Sequence, residues 1–294
     1  MDVQALHIHL LCVFLVVLAA QAATWQTLLG GDDASTPRMP SGVALDGVGN
    51  VYVADTGGSR IEKVSATGQV VATFGELGPG PEGLRRPRGL ALDAQGALYV
   101  ADTANHRIQR FSAAGQPLGP IGIIGSAPGE LILPTAVAFD SAGNLYVTDT
   151  GNHRVQKLSP DGAPLGEWSA GLHFPHGLAI DAQDNVYVSD EVGVRKFTTS
   201  GDLQAAWIAP GQFGDPYGVA VDAEGAVYVA DTDNGRIVAL SPDGEVRAVW
   251  GSEGQAQGQL KFPEALAVDS HGRIYVADRG NDRLQLLQPL APTQ

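Results

Sequence analysis

Six polar residues of different chemistry stand at one repeated place in this sequence, each directly after a proline. They are Ser41, Arg88, Thr135, His176, Tyr217 and Glu264. Together they offer a guanidinium, an imidazole, a phenol, a carboxylate and two hydroxyls, which are groups that bind polar ligands. Because a position that serves only packing would favour small apolar side chains, we predict that these six residues form the ligand-binding site.

The six prolines open copies of one sequence motif. In the copy that begins at Pro87, Asp93 lies six residues after the proline and Tyr99 lies six residues further on. Asp102 follows three residues after the tyrosine, and Arg107 five residues after that aspartate. The other copies keep this spacing and begin at Pro40, Pro134, Pro175, Pro216 and Pro263. A motif that recurs at this period indicates a repeat architecture in which each copy is one structural unit.

Each copy contains short β-branched or aromatic segments separated by turns. In the first copy these segments cover residues 43–45, 51–53, 61–64 and 69–74. Four antiparallel strands per copy make one blade of a β-propeller. The predicted fold is therefore all-β, a six-bladed β-propeller of four-stranded antiparallel blades over residues 24–290. Its inner strands are predicted to start at 40, 87, 134, 175, 216 and 263.

Bulky apolar residues end the fourth segments, which predicts packing between neighbouring blades. They are Phe74, Ile121, Trp168, Trp207 and Trp250. The sixth copy has no fourth segment of its own. We predict that residues 25–29, which precede the first copy, supply this strand and close the ring without leaving an open edge.

The first 22 residues differ from the rest of the chain and are predicted to be a signal peptide. An apolar run over residues 10–20, too short to span a bilayer comfortably, is followed by the small residues Ala20 and Ala22 of a cleavage site. Since no Lys or Arg precedes the run, an uncleaved anchor or a buried segment is the alternative. We expect a secreted or extracytoplasmic protein with no stable membrane span after cleavage and, because Cys12 is the one cysteine, no disulfide.

The charge of the chain limits the classes of ligand. The formal net charge is −14 at pH 7. A protein that binds a phosphate backbone needs a positive surface, so we expect no nucleic-acid partner. The acidic balance is compatible with a cationic ligand or a metal ion.

The repeated pattern PxGLALDxxGxLYVADTxNHRIQ resembles the NHL repeat, and the six copies resemble a complete NHL propeller over residues 24–288. The resemblance implies a six-bladed propeller but no single activity. NHL relatives include lyases that finish peptide amidation, domains of ubiquitin ligases that bind RNA or protein, and sensor domains of bacterial membrane kinases.

An enzymatic alternative follows from the resemblance to the amidating lyases. Those enzymes place three zinc-binding histidines after such prolines, whereas here only His176 does so. Glu264 could add an oxygen ligand for zinc or calcium, but a catalytic zinc needs three protein ligands. The lactonase-type propellers need Glu, Asn and Asp ligands in the channel, of which only Glu264 stands in this set. No catalytic residue is predicted.

The recurring charged residues have a structural interpretation. Asp102 and Arg107 have counterparts in every copy, which is typical of a pair that supports the fold. Arg85, Arg86 and Arg88 form one basic cluster, either a solvated loop or a site for an acidic partner. The sequence thus predicts a monomeric binding module for a protein or a small polar ligand, with a metal-dependent lyase or hydrolase as the alternative.

Overall fold

Six β-sheets stand in a ring, and their inner strands contact one another around a central channel. The computed structural model describes residues 23–30, 36–208 and 211–290. The predicted signal peptide, residues 1–22, lies outside these residues. Within the described ranges, no helix is long and apolar enough to cross a membrane. The ring confirms the predicted all-β, six-bladed propeller.

The strands of each blade follow in the order inner, second, third and outer. The inner strands are Pro40–Leu45, Pro87–Leu92, Pro134–Phe139, Leu178–Ile180, Pro216–Val221 and Pro263–Val268. The second strands are Val51–Asp55, Leu98–Asp102, Leu145–Asp149, Val186–Asp190, Val227–Asp231 and Ile274–Asp278. The third strands are Arg60–Val64, Arg107–Phe111, Arg154–Leu158, Gly193–Phe197, Arg236–Leu240 and Arg283–Pro289. The outer strands of blades one, three, four, five and six are Val70–Phe74, Pro164–Trp168, Leu203–Trp207, Val246–Trp250 and Ala23–Leu29.

Short elements complete the connections. The 3₁₀ turns Thr103–Asn105, Thr150–Asn152 and Arg279–Asn281 join the second and third strands of blades two, three and six. A small parallel pair, Glu76–Leu77 with Gly83–Leu84, lies in the connection before blade two.

The aspartate six residues after each proline shapes the turn into the second strand. In blade three, Asp140 Oδ1 accepts a hydrogen bond from the backbone N–H of Asn144 at 2.8 Å. Its Oδ2 accepts a second bond from the Tyr146 hydroxyl at 3.1 Å. One carboxylate therefore satisfies both the tight turn and the buried tyrosine of the next strand.

The second aspartate and the arginine of each copy form the predicted structural pair. In blade two, Arg107 Nε lies 2.8 Å from Asp102 Oδ2, and Asp102 is fully buried. Asp102 Oδ1 also accepts the backbone N–H of Arg85 at 2.7 Å, in the loop that enters the same blade. Arg107 donates further to the carbonyls of Gly80 and Gly83 in that loop. The pair thus fastens the long connection onto the blade that it precedes.

The bulky residues that end the outer strands pack between blades, as predicted. Phe74 of blade one stacks on Phe111 of blade two with ring centroids 6.3 Å apart. Trp168 of blade three contacts Phe197 of blade four at 5.9 Å. Each such contact buries a large apolar surface, which makes it a main source of cohesion between neighbouring blades.

The N-terminal strand closes the ring, as predicted. Ala23–Leu29 pairs antiparallel with Arg283–Pro289 and becomes the outer strand of blade six. Its Leu28 and Leu29 are buried against Val43, Val51 and other residues of blade one. The first and last repeats are thereby joined by both hydrogen bonds and apolar packing.

Blade two departs from the predicted four-stranded pattern. Its sheet has three strands, and among the described residues the outer segment contributes only the isolated bridges Ile108–Ile121 and Phe111–Pro117. Pro117 and Pro120 have no N–H to donate to a ladder, which explains the reduced pairing. Arg110 compensates in part, because its Nε donates to the Gly119 carbonyl at 3.0 Å.

Blade four departs in two places. Its inner strand begins at Leu178 rather than at the predicted 175, and the backbone N–H of Gly177 bonds to the Ser189 hydroxyl at 2.9 Å. Its next turn is shorter, so Asp190 pairs with Gly193, and Arg195 stands in the middle of the third strand opposite Val188. The Arg195 guanidinium nevertheless reaches Asp190, which preserves the charge pair.

Candidate functional site

The six residues that follow the inner-strand prolines meet at one end of the channel. Ser41, Arg88, Thr135, His176, Tyr217 and Glu264, together called the mouth ring, all line one cavity of about 70 Å³. Ser41, Thr135 and Glu264 are buried, and the other three are half-buried. The structure thus brings together every side chain of the predicted ligand-binding set.

A strained backbone position points the mouth ring into the channel. The residue before each inner-strand proline has a left-handed conformation with φ between 46° and 52°, although none is glycine. These residues, called the collar, are Met39, Arg86, Leu133, Phe174, Asp215 and Phe262. Such a conformation costs a non-glycine residue about 1–2 kcal/mol.

Neighbouring blades hold the collar in place. The backbone N–H groups of Leu133 and Phe174 donate to the Nδ1 atoms of His106 and His153, each at 3.1 Å. The N–H of Met39 donates to Asp282 Oδ1 at 2.7 Å. His106 and His153, which look like repeat-turn residues in the sequence, therefore link consecutive blades.

Two members of the mouth ring use their hydroxyls inside the fold. Thr135 Oγ1 contacts the hydroxyls of Thr148 and Thr150 and donates to the His176 carbonyl at 2.9 Å. Ser41 Oγ donates to the Met39 carbonyl at 3.1 Å. These bonds leave little capacity for a ligand, so Ser41 and Thr135 support the ring more than they offer binding groups.

The other four members form a contact network across the channel. The His176 and Tyr217 rings stack with centroids 3.8 Å apart and planes 7° from parallel. The Arg88 guanidinium lies 5.6 Å from the Tyr217 ring centroid, and Arg88 NH1 lies 4.0 Å from Glu264 Oε2. Since Arg88 belongs to blade two and its two partners to blades five and six, its side chain crosses the channel.

Two charged residues that the sequence did not single out join this network. Asp215 belongs to the collar, and its Oδ1 lies 3.9 Å from His176 Nε2. Arg279 Nε lies 3.2 Å from Glu264 Oε1. Both depart from the residue type of other copies: four collar residues are apolar, and the position of Arg279 is threonine at 56, 103, 150 and 232.

The threonines at that position show what the departures change. Thr56 Oγ1 donates to the Pro87 carbonyl of the next blade at 2.6 Å, and Thr232 does the same to Pro263 at 2.7 Å. Glu191 in blade four and Arg279 in blade six replace this threonine. Blades four and six therefore lack this threonine hydrogen bond to the next blade and have a charged side chain at that position instead.

Several buried polar atoms at the mouth have no hydrogen-bond partner among the described residues. They are His176 Nδ1, Asp215 Oδ1, Glu264 Oε2 and Arg279 Nε. The Arg279–Glu264 contact is short enough for an ion pair but is not aligned as a hydrogen bond. Because buried polar groups in native proteins are normally satisfied, these atoms have hydrogen-bonding capacity left for water or a ligand.

Burial and charge set the protonation states at the mouth. Burial, with the negative charges of Asp233, Glu191 and Glu264, raises the pKa of Asp215 to about 6. Burial and the Arg88 charge lower the pKa of His176 to about 4. Burial also raises the pKa of Tyr217, against the opposing effect of Arg88. At neutral pH the site therefore has a neutral His176 imidazole, a neutral Tyr217 phenol and a mainly ionised Asp215 carboxylate.

The donor set does not fit a resident metal ion. Among the described residues, no three His, Cys, Asp or Glu side chains are grouped to hold one. His176 and Glu264, the two candidate ligands for zinc or calcium, line the same cavity, but Glu264 is paired with Arg279. A catalytic zinc needs three protein ligands, which this arrangement does not offer.

The opposite end of the channel has a different lining. A cavity of about 360 Å³ opens there, lined by aliphatic residues and one phenylalanine. The outermost of these, called the lower ring, are Leu45, Leu92, Phe139, Ile180, Val221 and Val268. They stand five residues after each proline, so the same inner strands carry a polar ring at one end and an apolar ring at the other.

Comparison with known sequences identifies the repeat. The profile of the NHL repeat matches residues 84–111, 131–158, 213–246 and 260–285, which are four of the six copies. A search of curated proteins gives no match.

Solved structures share the propeller. Virginiamycin B lyase from Staphylococcus aureus superposes with a TM-score of 0.67 at 15% identity, covering 92% of this chain and 100% of that one. A catalytically inactive form of that lyase with quinupristin has a TM-score of 0.67 at 14% identity, with 92% and 100% covered. A gluconolactonase from Xanthomonas campestris has a TM-score of 0.73 at 21% identity, with 93% and 92% covered. At these identities the likeness establishes the fold.

Proposed function

The chain is an NHL-repeat protein that forms a six-bladed β-propeller, and from this premise we propose that it is a binding module whose ligand docks at the channel mouth. We place this function outside the cytoplasm, in keeping with the predicted signal peptide over residues 1–22. The ligand is a protein or a small polar molecule that contacts Arg88, His176, Tyr217 and Glu264.

One observation carries the proposal. Unpartnered buried atoms of His176, Asp215, Glu264 and Arg279 lie at the channel mouth, where the copies carry different residues. Leaving a buried polar group unsatisfied costs about 1–3 kcal/mol, so these atoms favour a hydrogen-bonding partner, which a polar ligand can provide in place of water. A ligand that completes their hydrogen bonds would recover that free energy on binding.

Site-directed photo-crosslinking tests the proposed face. Phe174 of the collar and Leu203 of the outer strand are both in blade four, apolar and about half exposed, at 43% and 51%. A photoreactive phenylalanine analogue at 174 should label a ligand from the secreted fraction, whereas the same analogue at 203 should not. The label at 174 should also disappear when His176→Ala is added.

Equal labelling from both positions, or labelling that survives His176→Ala, would place the binding surface elsewhere. The variant at 203 is a matched control because it keeps the blade and the exposure and changes only the face. Melting temperatures within two or three degrees of the unmodified protein would show that the ring is intact in each variant.

The alternative function is a metal-dependent lyase or hydrolase acting at the same mouth. It is favoured by the shared fold with virginiamycin B lyase and gluconolactonase, and opposed by the donor set of the described residues. Metal analysis of the purified protein separates the two. One zinc or calcium ion per chain, lost in Glu264→Gln, would favour the enzyme; a metal content that does not follow the mouth residues would favour the binding module.

A further inference from the structure

The unsatisfied atoms at the mouth are mainly acceptors. Asp215 Oδ1 and Glu264 Oε2 are carboxylate oxygens, and a neutral imidazole such as His176 always has one accepting nitrogen. The one unpartnered donor, Arg279 Nε, already lies 3.2 Å from Glu264. A group that completes this set must therefore donate several hydrogen bonds.

Glu264 is positioned to receive such a donor. Its side chain is 6% exposed, its Oε1 faces Arg279, and its Oε2 faces Arg88 within the cavity at 4.0 Å. The Arg88 distance is too long for a hydrogen bond. Glu264 thus lines the cavity and has a buried carboxylate oxygen to which no described residue donates a hydrogen bond.

The charge balance at the mouth favours a cation. Glu191, Asp233 and Glu264 each lie near enough to act electrostatically on Asp215, whereas Arg88 and Arg279 are the guanidinium groups that contact Glu264. The chain as a whole is also acidic, with a net charge of −14.

The shape of the site limits the cation to a small group on an apolar stem. A cavity of about 70 Å³ corresponds to roughly two water molecules in the liquid, which is room for the end of a side chain. Around it, the collar exposes apolar side chains: Met39 by 43%, Leu133 by 42%, Phe174 by 43% and Phe262 by 44%. An ammonium group can thus enter the mouth while its aliphatic stem contacts the collar.

Resting on the proposed function, we propose that the mouth binds a primary ammonium group on an aliphatic stem. The nitrogen lies in the cavity beside Glu264, and the Asp215 carboxylate, whose Oδ1 is 3.9 Å from His176 Nε2, is its second acceptor. Such a group occurs in the lysine side chain of a peptide and in a free alkyl amine. The apolar collar favours the lysine of a peptide segment, since it offers contacts beyond the stem.

Calorimetric titration of the purified protein at pH 7.5 tests this assignment. The probes are the blocked tripeptide acetyl-Gly-Lys-Gly-amide, the same peptide with norleucine in place of lysine, and putrescine. The lysine peptide should bind and the norleucine peptide should not, because the two differ only in the charged end. Loss of a charge-assisted bond in Glu264→Gln or Asp215→Asn should weaken binding by about tenfold or more.

Glu245→Gln is the matched control, because Glu245 is 73% exposed and lies at the outer strand of blade five. It should leave the affinity unchanged. Putrescine binding without peptide binding would support the ammonium assignment and identify a free amine as its source. Norleucine binding equal to lysine binding, or no binding of either amine, would overturn it.

A fourth probe separates this inference from the proposed function. N-acetylglycine presents a carboxylate of similar size. If N-acetylglycine binds, the amines do not, and Arg88→Ala abolishes its binding, the mouth is an anion site. The ammonium assignment then fails, while the proposed binding module stands. Photo-crosslinking at 174 and 203 decides the proposed function independently of which probe binds.

Discussion

The two ends of the channel are built by the same six inner strands and have opposite chemistry. The side chains one residue after each proline are polar, and apart from the two hydroxyl residues each has a different functional group. The side chains five residues after each proline are apolar in every blade. The mouth concentrates unpartnered polar atoms and like charges, whereas the lower ring is uniformly apolar. In this repeat, positions that keep one residue type carry the fold, and positions that vary carry the candidate site.

This comparison depends on the ring being closed, and breaking the closure has the largest expected effect. Deletion of residues 23–30 removes the outer strand of blade six and the buried Leu28 and Leu29. Burial of two leucines alone is worth about 3–6 kcal/mol, and the unpaired third strand adds to the loss. We expect a melting temperature lower by ten degrees or more, measured by circular dichroism.

A substitution within the same strand serves as the control for this deletion. Gln26 is exposed, so Gln26→Ala should leave the melting temperature within one or two degrees. If the shortened protein melted like the full chain, the N-terminal strand would be dispensable for closure.

The next largest effect comes from making the lower end polar. Leu266 is 6% exposed and lies between the two rings on the inner strand of blade six. Leu266→Asn should cost about 3–5 kcal/mol, because it removes a buried side chain and places an amide among apolar residues. Urea denaturation measures this change in the free energy of unfolding.

Val48→Asn makes the same kind of replacement at a valine that is 85% exposed in a turn of blade one. It should change the free energy of unfolding by less than about 0.5 kcal/mol. An equal, small effect at both positions would mean that the lower end tolerates polar groups, and the contrast between the two ends would then be weaker than the structure indicates.

A third expected effect is a pH dependence of stability that arises at the mouth and not at the apolar lower ring. The pKa of Asp215 is about 6 in the folded protein and 3.8 without the fold, so its ionisation opposes folding. Its contribution is fully favourable below about pH 4 and is lost as the pH rises through 6. Asp215→Asn should therefore be more stable than the unmodified protein at pH 8, with no such advantage below pH 4.

The size of this difference is limited by solvent. The Asp215 side chain is 38% exposed, so solvent screens part of the effect of its raised pKa. We expect the two proteins to differ at pH 8 by about 1 kcal/mol in the free energy of unfolding. Thermal melts of both proteins between pH 4 and 8 provide the measurement. A constant offset across this range would contradict the assigned pKa.

Most of the fold could be predicted from the sequence because the same motif recurs in six copies with the same spacing. The closing strand was predictable too, since Leu29 and Gly30 match Trp250 and Gly251 at the end of a fourth strand. The shortened turn in blade four was not, because the spacing from Asp190 to Arg195 is normal while the pairing is with Gly193. Spacing along the chain does not determine register here, because the Arg195 side chain reaches Asp190 from the middle of the third strand.

The candidate site could be predicted in part. The six members of the mouth ring stand at the same position of each copy, directly after the inner-strand proline, so the sequence identified them together. Asp215 and Arg279 belong to other repeat positions, and only the closed ring brings them to the mouth. Their signal in the sequence was a charged residue at a place where other copies have an apolar residue or a threonine.

The smallest net effect is expected from a double variant that removes the charge pair at the mouth. Arg279→Thr alone should cost about 1–3 kcal/mol, because Glu264 would stay buried with Arg88 only at 4.0 Å. In the double variant Arg279→Thr with Glu264→Gln, the buried charge is gone and a threonine can bond to the Pro40 carbonyl as Thr56 does to Pro87. The double variant should therefore lie within about 0.5 kcal/mol of the unmodified protein, which a double-mutant cycle by urea denaturation measures. Additive losses of stability would mean that Arg279 and Glu264 support the fold separately. If the two losses cancel in the double variant and binding of the lysine peptide is lost, the charged pair serves the ligand rather than the fold.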